Sequence, residues 1–281
     1  MKIIFSESSN LNNSVYGNCQ APIKMFLEKR GEEFEQNIVL KNLFLTGSSK
    51  NYGDVMTTLT AMSGFEPVGE NGAYPLDGMQ EGYQKFLKYQ TWKDSFSVSK
   101  EMIEDGKLLD MRKQPAAFMT SYKRTRELFG AALYGAAMMG VKFDLTGADG
   151  SNLFAKEHVP KVSGDKQCNC FKDAFSVDAL GKLETKMHLF RGDNDEILDV
   201  APDTILIPEN ADLKKAVFAA IGADKDPVSA NNAFNYQYGR WNVIVWPYLN
   251  HYITNGVSPW VLLDSKYNET YGGAVWNDRI Q

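Results

Sequence analysis

The run from Leu108 to Met139 constrains this chain most. Phe118, Tyr122, Phe129, Leu133 and Ala136 recur at spacings near three and four, with Lys123, Arg124, Arg126 and Glu127 between them. That is the pattern of a helix with one apolar face. At about 1.5 Å per residue, roughly 25 helical residues reach nearly 40 Å, longer than a small domain is wide. Such a helix is a strut, and other layers must be laid against it. Pro115 is expected in its first turn, where a missing N–H does no harm. The Ala- and Met-rich end, Ala131 to Met139, reads as core packing rather than as an apolar ligand groove, because Met fills irregular gaps.

What precedes the strut does not look self-sufficient. From Met1 to about Leu45 the text is asparagine-rich and then briefly helical, with Ile23, Phe26 and Leu27 on one face before Gly31. It reads as an arm that lies on another surface. Thr46 to Asp54 reads as a polar linker and Val55 to Met62 as a short helix stopped at Ser63-Gly64. Phe65 to Gly82 is dense in turn formers, and Asn71-Gly72 suits a tight turn with positive φ. Tyr83 to Ser99 is strand-like: Trp92, Phe96 and Val98 share one parity, Lys93, Ser95, Ser97 and Ser99 the other. A ribbon of that length with so many charges cannot bury both faces in its own domain, so it projects and is covered by neighbours. Ser99 is placed to cap a short helix, Lys100 to Asp105, ended by Gly106.

The second half alternates helix and strand. Ser176 caps a helix with Val177, Leu180, Leu183, Met187 and Phe190 on its apolar face, and Thr204 to Ile207 is a short buried strand halted by Pro208. Asn210 caps the next helix, whose stripe is Leu213, Val217, Ala220 and Ile221 before Gly222. After a loop from Asp224 to Asn235 come a strand, Trp241 to Trp246, a turn at Asn255-Gly256 and a last buried strand, Pro259 to Asp264. Tyr271 and Trp276 imply that the tail is docked.

The raw material for chemistry along this frame is thin. Three histidines, no concentrated carboxylate motif and three cysteines give little for acid–base or metal work. Cys168 and Cys170, with His158 and His188 nearby, have the wrong spacing for a structural zinc site and read as loop thiols. Cys19 completes an odd set, which points to folding in a cytosol. His251 reads as packed or surface-exposed. Arg191-Gly192-Asp193 reads as a turn, although it matches an integrin-binding tripeptide. Ser6 to Ser9 and Ser48-Ser49 lack the strand–turn–helix setting of a hydrolase nucleophile, and Gly147 to Gly150 lacks the lysine of a phosphate loop. Asn268-Glu269-Thr270 has no meaning as a sequon without secretion. A net charge of −5, with basic residues scattered, disfavours tight neutralising contact with nucleic acid. The apolar runs are too short to span a membrane. No catalytic, cofactor-binding or metal-binding residues are therefore assigned, and no cofactor is expected.

A resemblance orders these features. Thr91 to Asp105, followed by the long helix, resembles the end of the extended loop and the start of the spine helix in tailed-phage major capsid proteins. Asn152-Leu-Phe-Ala-Lys-Glu-His158 looks like a phrase of Mu-like major head subunits. Pro202 to Pro208 resembles the strand that precedes a helix there, and Asn232 to Trp246 with Trp260-Val-Leu-Leu-Asp264 resembles the Asn-rich loop, strand and closing phrase. The likeness covers roughly Thr57 to Asp264. It implies an α+β chain with the Hong Kong 97-type capsid fold. Its parts would be an N-terminal arm and linker (1–56), an extended loop (57–98), a peripheral domain with the spine helix (99–144), an axial domain (145–257) and a return to the peripheral domain (258–281). Related head proteins carry more chain after the closing phrase, which leaves open how the peripheral sheet is completed.

The function so implied is a major capsid protein that assembles with itself, through pentameric and hexameric capsomers, into an icosahedral shell around double-stranded DNA. It would be structural and not an enzyme. Its other partners would be a portal, a separate scaffolding protein (the chain has no long charged prodomain at its start), possibly a decoration protein, and DNA contacted without sequence preference. No membrane is involved. The protein would be assembled in the host bacterial cytoplasm and reside in the virion. Two alternatives stand beside this: an encapsulin-like nanocompartment shell, and a small monomeric α/β enzyme or ligand-binding protein.

Overall fold

A computed structural model of the protein describes residues 16–60, 62, 64–99, 101, 105, 108–141, 147–162, 164–193, 195–223 and 234–279, with the backbone alone at 16–21 and 108–112. Of the expected helix from Lys100 to Asp105 only Glu101 and Asp105 are described, joined by a bond from the Asp105 N–H to the Glu101 carbonyl at 2.9 Å, while most of the 224–235 loop and the Cys19 side chain lie outside the described residues. The chain is α+β and divides into two compact units, 1–40 with 90–129 and 41–89 with 130–281.

In the first unit, α1 (Tyr16–Gln36) packs on the first part of α3 (Leu108–Met138). Gly31 does not end α1, as its sequence suggested. It is the point where α1 meets Met119, whose Cε would lie 3.5 Å from a Cβ there. Leu27 and Met119 are fully buried. Polar ties fix the pair: Tyr122 donates to Glu35 at 3.0 Å, and the buried Glu127 accepts from the Val39 N–H at 3.2 Å. Residues 90–99 form no strand, contrary to the ribbon expected over Tyr83 to Ser99. Their alternation serves another purpose, because Trp92 and Phe96 lay their rings against Phe129 and Phe118 of α3 at 5.7 and 5.3 Å.

The strut itself forms where expected, with two differences. Pro115 is the eighth residue of α3 and not in its first turn. The most deeply buried stripe passes through Pro115, Met119, Glu127, Gly130, Ala131 and Tyr134, whereas Phe118, Tyr122, Phe129 and Leu133 are half-buried on its flank. Small residues in the second half admit close neighbours: a Cβ on Gly135 would stand 2.7 Å from Tyr252 Cβ. Gly140, at φ +67°, follows the helix end.

The second unit is organised by a three-stranded sheet in the order β5 (Asn242–Val245), β4 (Thr204–Ile207), β6 (Val261–Leu263). β4 is parallel to β5 and antiparallel to β6, and all four of its residues are buried, as a central strand covered on both faces must be. Ile205 and Ile207 join Leu180 of α4 (Val177–His188) and Leu213, Val217, Ala220 and Ile221 of α5 (Ala211–Ile221) in one core. Beyond β5, the buried Trp246 meets Tyr134 of α3 at 6.4 Å. The expected caps are in place: Ser176 Oγ accepts from the Ala179 N–H, and Asn210 Oδ1 from those of Asp212 and Leu213.

The remaining strands correct the sequence reading. Thr46 to Ser49 is not linker but part of β1 (Leu45–Ser49), which follows a short α2 (Leu40–Leu43). β1 pairs in parallel with β7 (Val275–Arg279), so Pro259 to Asp264 does not hold the last strand. Between β6 and β7 lies α6 (Ser265–Tyr271), capped by Asp264. The tail is docked through Trp276, which meets Phe44 at 5.9 Å, while Tyr271 is exposed. Val55 to Leu59 is strand and not helix. β2 (Gly53–Leu59) and β3 (Glu81–Lys88) form an antiparallel hairpin.

The Gly135 contact makes a signed prediction. Gly to Ala inside a helix ordinarily stabilises by about 1 kcal/mol. Here Gly135→Ala should destabilise by about 1–3 kcal/mol, because the new methyl overlaps Tyr252. Urea unfolding of the unassembled subunit decides the sign.

Candidate functional site as an assembly surface

Among the described residues no three His, Cys, Asp or Glu side chains gather as a metal site would require. Several groups that the sequence singled out are held in local contacts. His158 sits between Asp149 (Nδ1···Oδ2, 2.8 Å) and Asn169 (Nε2···Oδ1, 3.1 Å). The amide of Asn169 is itself held, accepting from the Ala155 N–H and donating to the Leu153 carbonyl, each at 2.8 Å. Burial pushes the Asp149 carboxyl up, but the Ser151 N–H and the His158 ring outweigh it and leave the group below its usual range. Cys168 and Cys170 are free thiols, and Cys168 Sγ bonds the Cys170 carbonyl. Arg191 turns back onto Asp195, whose φ is +69°, so the Arg-Gly-Asp tripeptide begins a turn. The His251 and Tyr252 rings stack edge to face at 5.0 Å.

What the structure does present is uncovered apolar surface. Beyond the β2–β3 ladder, residues 64–79 have no helix or strand. Phe65, Tyr74 and Leu76 stand at 110%, 94% and 101% of full exposure, and Val68 and Met79 are exposed beside them. The Asn71-Gly72 pair does lie in a tight turn, with the Gly72 N–H on the Gly69 carbonyl at 2.8 Å, but without positive φ at either residue. The hairpin below is bare as well: Val55 and Phe86 are directly opposite in the register and both are exposed.

A second surface follows α5. Phe234, Tyr236 and Tyr238 are exposed, while Asn235 and Gln237 between them are buried. This inverts a soluble surface, and a polar network enforces it. Asn235 donates to the Ala220 and Ala223 carbonyls. Gln237 donates to Glu184 of α4 at 2.9 Å and accepts from the Trp241 indole at 2.6 Å, and Arg240 also bonds Glu184. In the sequence Asp224 to Asn235 reads as loop, which leaves these rings unassigned. Their period of two, Phe234-x-Tyr236-x-Tyr238, was the available signal.

The end of this unit is locked to its sheet by carboxylates. Ser265 donates to Asp203 through both its N–H and its hydroxyl, and Thr204 does so through its hydroxyl. Asp264 accepts from the Ala201 N–H at 2.7 Å while capping α6. Burial raises the Asp203 carboxyl, yet those donors prevail and hold it below its ordinary value. A carboxyl depressed in the folded state contributes stability that is present above the unfolded pKa of about 4 and lost as pH falls through the folded value. The unassembled subunit should therefore lose stability as pH drops below about 4, and Asp203→Asn should make that loss shallower. Thermal melts at stepped pH test this; equal slopes for both proteins would contradict it.

Comparison with known proteins gives the surfaces a setting. A family model described as phage capsid protein matches residues 83–280. Among solved structures, the capsid of bacteriophage JBD30 decorated with minor capsid protein trimers aligns over 76% of this chain and 91% of its own, with TM-score 0.50 and 14% identity. The bacteriophage JBD30 capsid aligns over 75% and 90%, with TM-score 0.51 and 14% identity. No curated protein matches. At that identity the likeness concerns fold.

Proposed function

We infer function from one premise: this chain belongs to the phage capsid protein family. It has the Hong Kong 97-type capsid fold, and it is a shell-building protein and not an enzyme. Family membership favours the phage head over a nanocompartment shell or a monomeric enzyme.

The finer reading is that copies assemble as pentamers and hexamers into a closed icosahedral head around double-stranded DNA. In that reading 1–56 is arm and linker, 57–98 the extended loop, 99–144 the peripheral domain, 145–257 the axial domain and 258–281 the return. The observation that carries it is the tip over 64–79. Rings and aliphatic groups that stand fully in water on a hairpin too thin to cover them gain stability only from a partner, and in a shell the nearest partner is an identical chain. The rings at 234, 236 and 238 fit contacts around a capsomer axis in the same way. The JBD30 capsid bears minor capsid protein trimers, and a decoration protein is proposed here by analogy. A portal, a separate scaffolding protein, assembly in the bacterial cytoplasm and loose, non-specific contact with DNA complete the proposal. The net charge of −5 supports the last.

Because Phe65, Tyr74 and Leu76 bury almost nothing within one subunit, these three can be changed with little cost to the subunit. The triple variant Phe65→Ser, Tyr74→Ser, Leu76→Ser should melt within about 1 °C of the parent, remain soluble and fail to form closed shells in electron micrographs. Normal shells from that variant would refute the assignment.

A further inference from the structure

We propose that Lys161 is a latch that holds the β2–β3 hairpin in the unassembled subunit, and that the hairpin leaves it on entering a shell. The second half rests on the reading of the tip given above. The ladder between the strands slips between Thr57 and Leu59. The slip needs glycine at 82, since a Cβ there would lie 2.3 Å from Thr58 Oγ1 and 3.2 Å from the Thr58 carbonyl oxygen. Two carbonyls beside the slip accept from side chains. Tyr83 O accepts from the Thr58 hydroxyl at 3.2 Å, and Gly82 O accepts from Lys161 Nζ. The same ammonium lies 6.0 Å from the centre of the Tyr83 ring.

Lys161 lies in a stalk whose base is tied at His158 and Gln167. The backbones of His158 and Gln167 bond each other in both directions at 2.8 and 3.0 Å, and His158 is pinned between Asp149 and Asn169. The stalk turns at Gly164, where φ is +109°. The loop closed by that pair of backbone bonds thus brings one cation to the irregular point of a strand. A slip of this kind is where a strand bends, so the contact sets the direction of the exposed tip beyond it. Lys161 is exposed, and its bond is one that water can replace. It restrains the hairpin without committing it.

A contact made in the free subunit and absent from the shell opposes assembly by its own free energy. Lys161→Met keeps the stem and removes the ammonium; Lys161→Arg keeps the cation. In the unassembled subunit, amides of residues 81–88 should exchange about fivefold faster in the Met variant and near the parent rate in the Arg variant. The lowest subunit concentration that yields shells, read by light scattering, should fall by about fivefold in the Met variant and hardly move in the Arg variant. Unchanged exchange in the Met variant overturns the latch, and that measurement needs no shell, so it stands apart from the reading of the tip. Faster exchange with an unchanged or higher threshold overturns the release.

Discussion

A two-stranded ribbon has two faces and no layer of its own to place against them, and that shortage governs the rest of this protein. Val55 opposite Phe86, and Phe65, Tyr74 and Leu76 beyond them, present apolar surface that the second unit does not cover. A monomer built for solution would replace such groups with polar ones. Their retention makes sense in a chain whose native state is an assembly, where the missing layer is another copy.

The exposed hairpin is tolerable because the body of the second unit is firmly made. β4 is buried on both faces, α4 and α5 share one core on its Ile205–Ile207 side, and Trp246 meets Tyr134 of the strut beyond β5. Burial holds the Tyr134 phenol far above its usual range, and its hydroxyl donates to the Leu43 carbonyl at 3.0 Å. Polar networks then place the special surfaces. Glu184, Gln237 and Arg240 turn three aromatic rings outward, and Asp203 and Asp264 tie α6 to the sheet, from which the chain reaches β7. Stability and function are thus divided between different residues: dry core and satisfied carboxylates for the one, bare rings for the other.

The parts legible in the sequence were those whose signals are local. Ser176 and Asn210 sit directly before their helices, the apolar stripe of α5 repeats at helical spacing, and the Thr204–Ile207 run is short and wholly apolar. The strut was legible for the same reason, although its half-buried aromatics were more conspicuous than the small residues and the single carboxylate that are buried deepest. The errors fell where structure is decided at a distance. Leu45 pairs with Val275, 230 positions away, so a Thr-Gly-Ser-Ser run with no periodicity became a strand. Val55 to Leu59, read as the start of a helix, is strand because Lys85 and Phe86 stand opposite Met56 and Val55. Trp92 and Phe96 have strand parity but face a helix. For the candidate surfaces, the ribbon expected over Tyr83 to Ser99 is strand only to Lys88, since Trp92 and Phe96 turn onto the long helix, whereas the exposed rings at 234, 236 and 238 carried a period of two that no neighbouring strand signal supported.

Oxidative footprinting of side chains, comparing free subunits with closed shells of the same protein, tests the central claim most directly. The account predicts that Phe65, Tyr74 and Met79 react freely in the subunit and become strongly protected in the shell, while Tyr134 is unreactive in both. Equal reactivity of the three tip residues before and after assembly would contradict it.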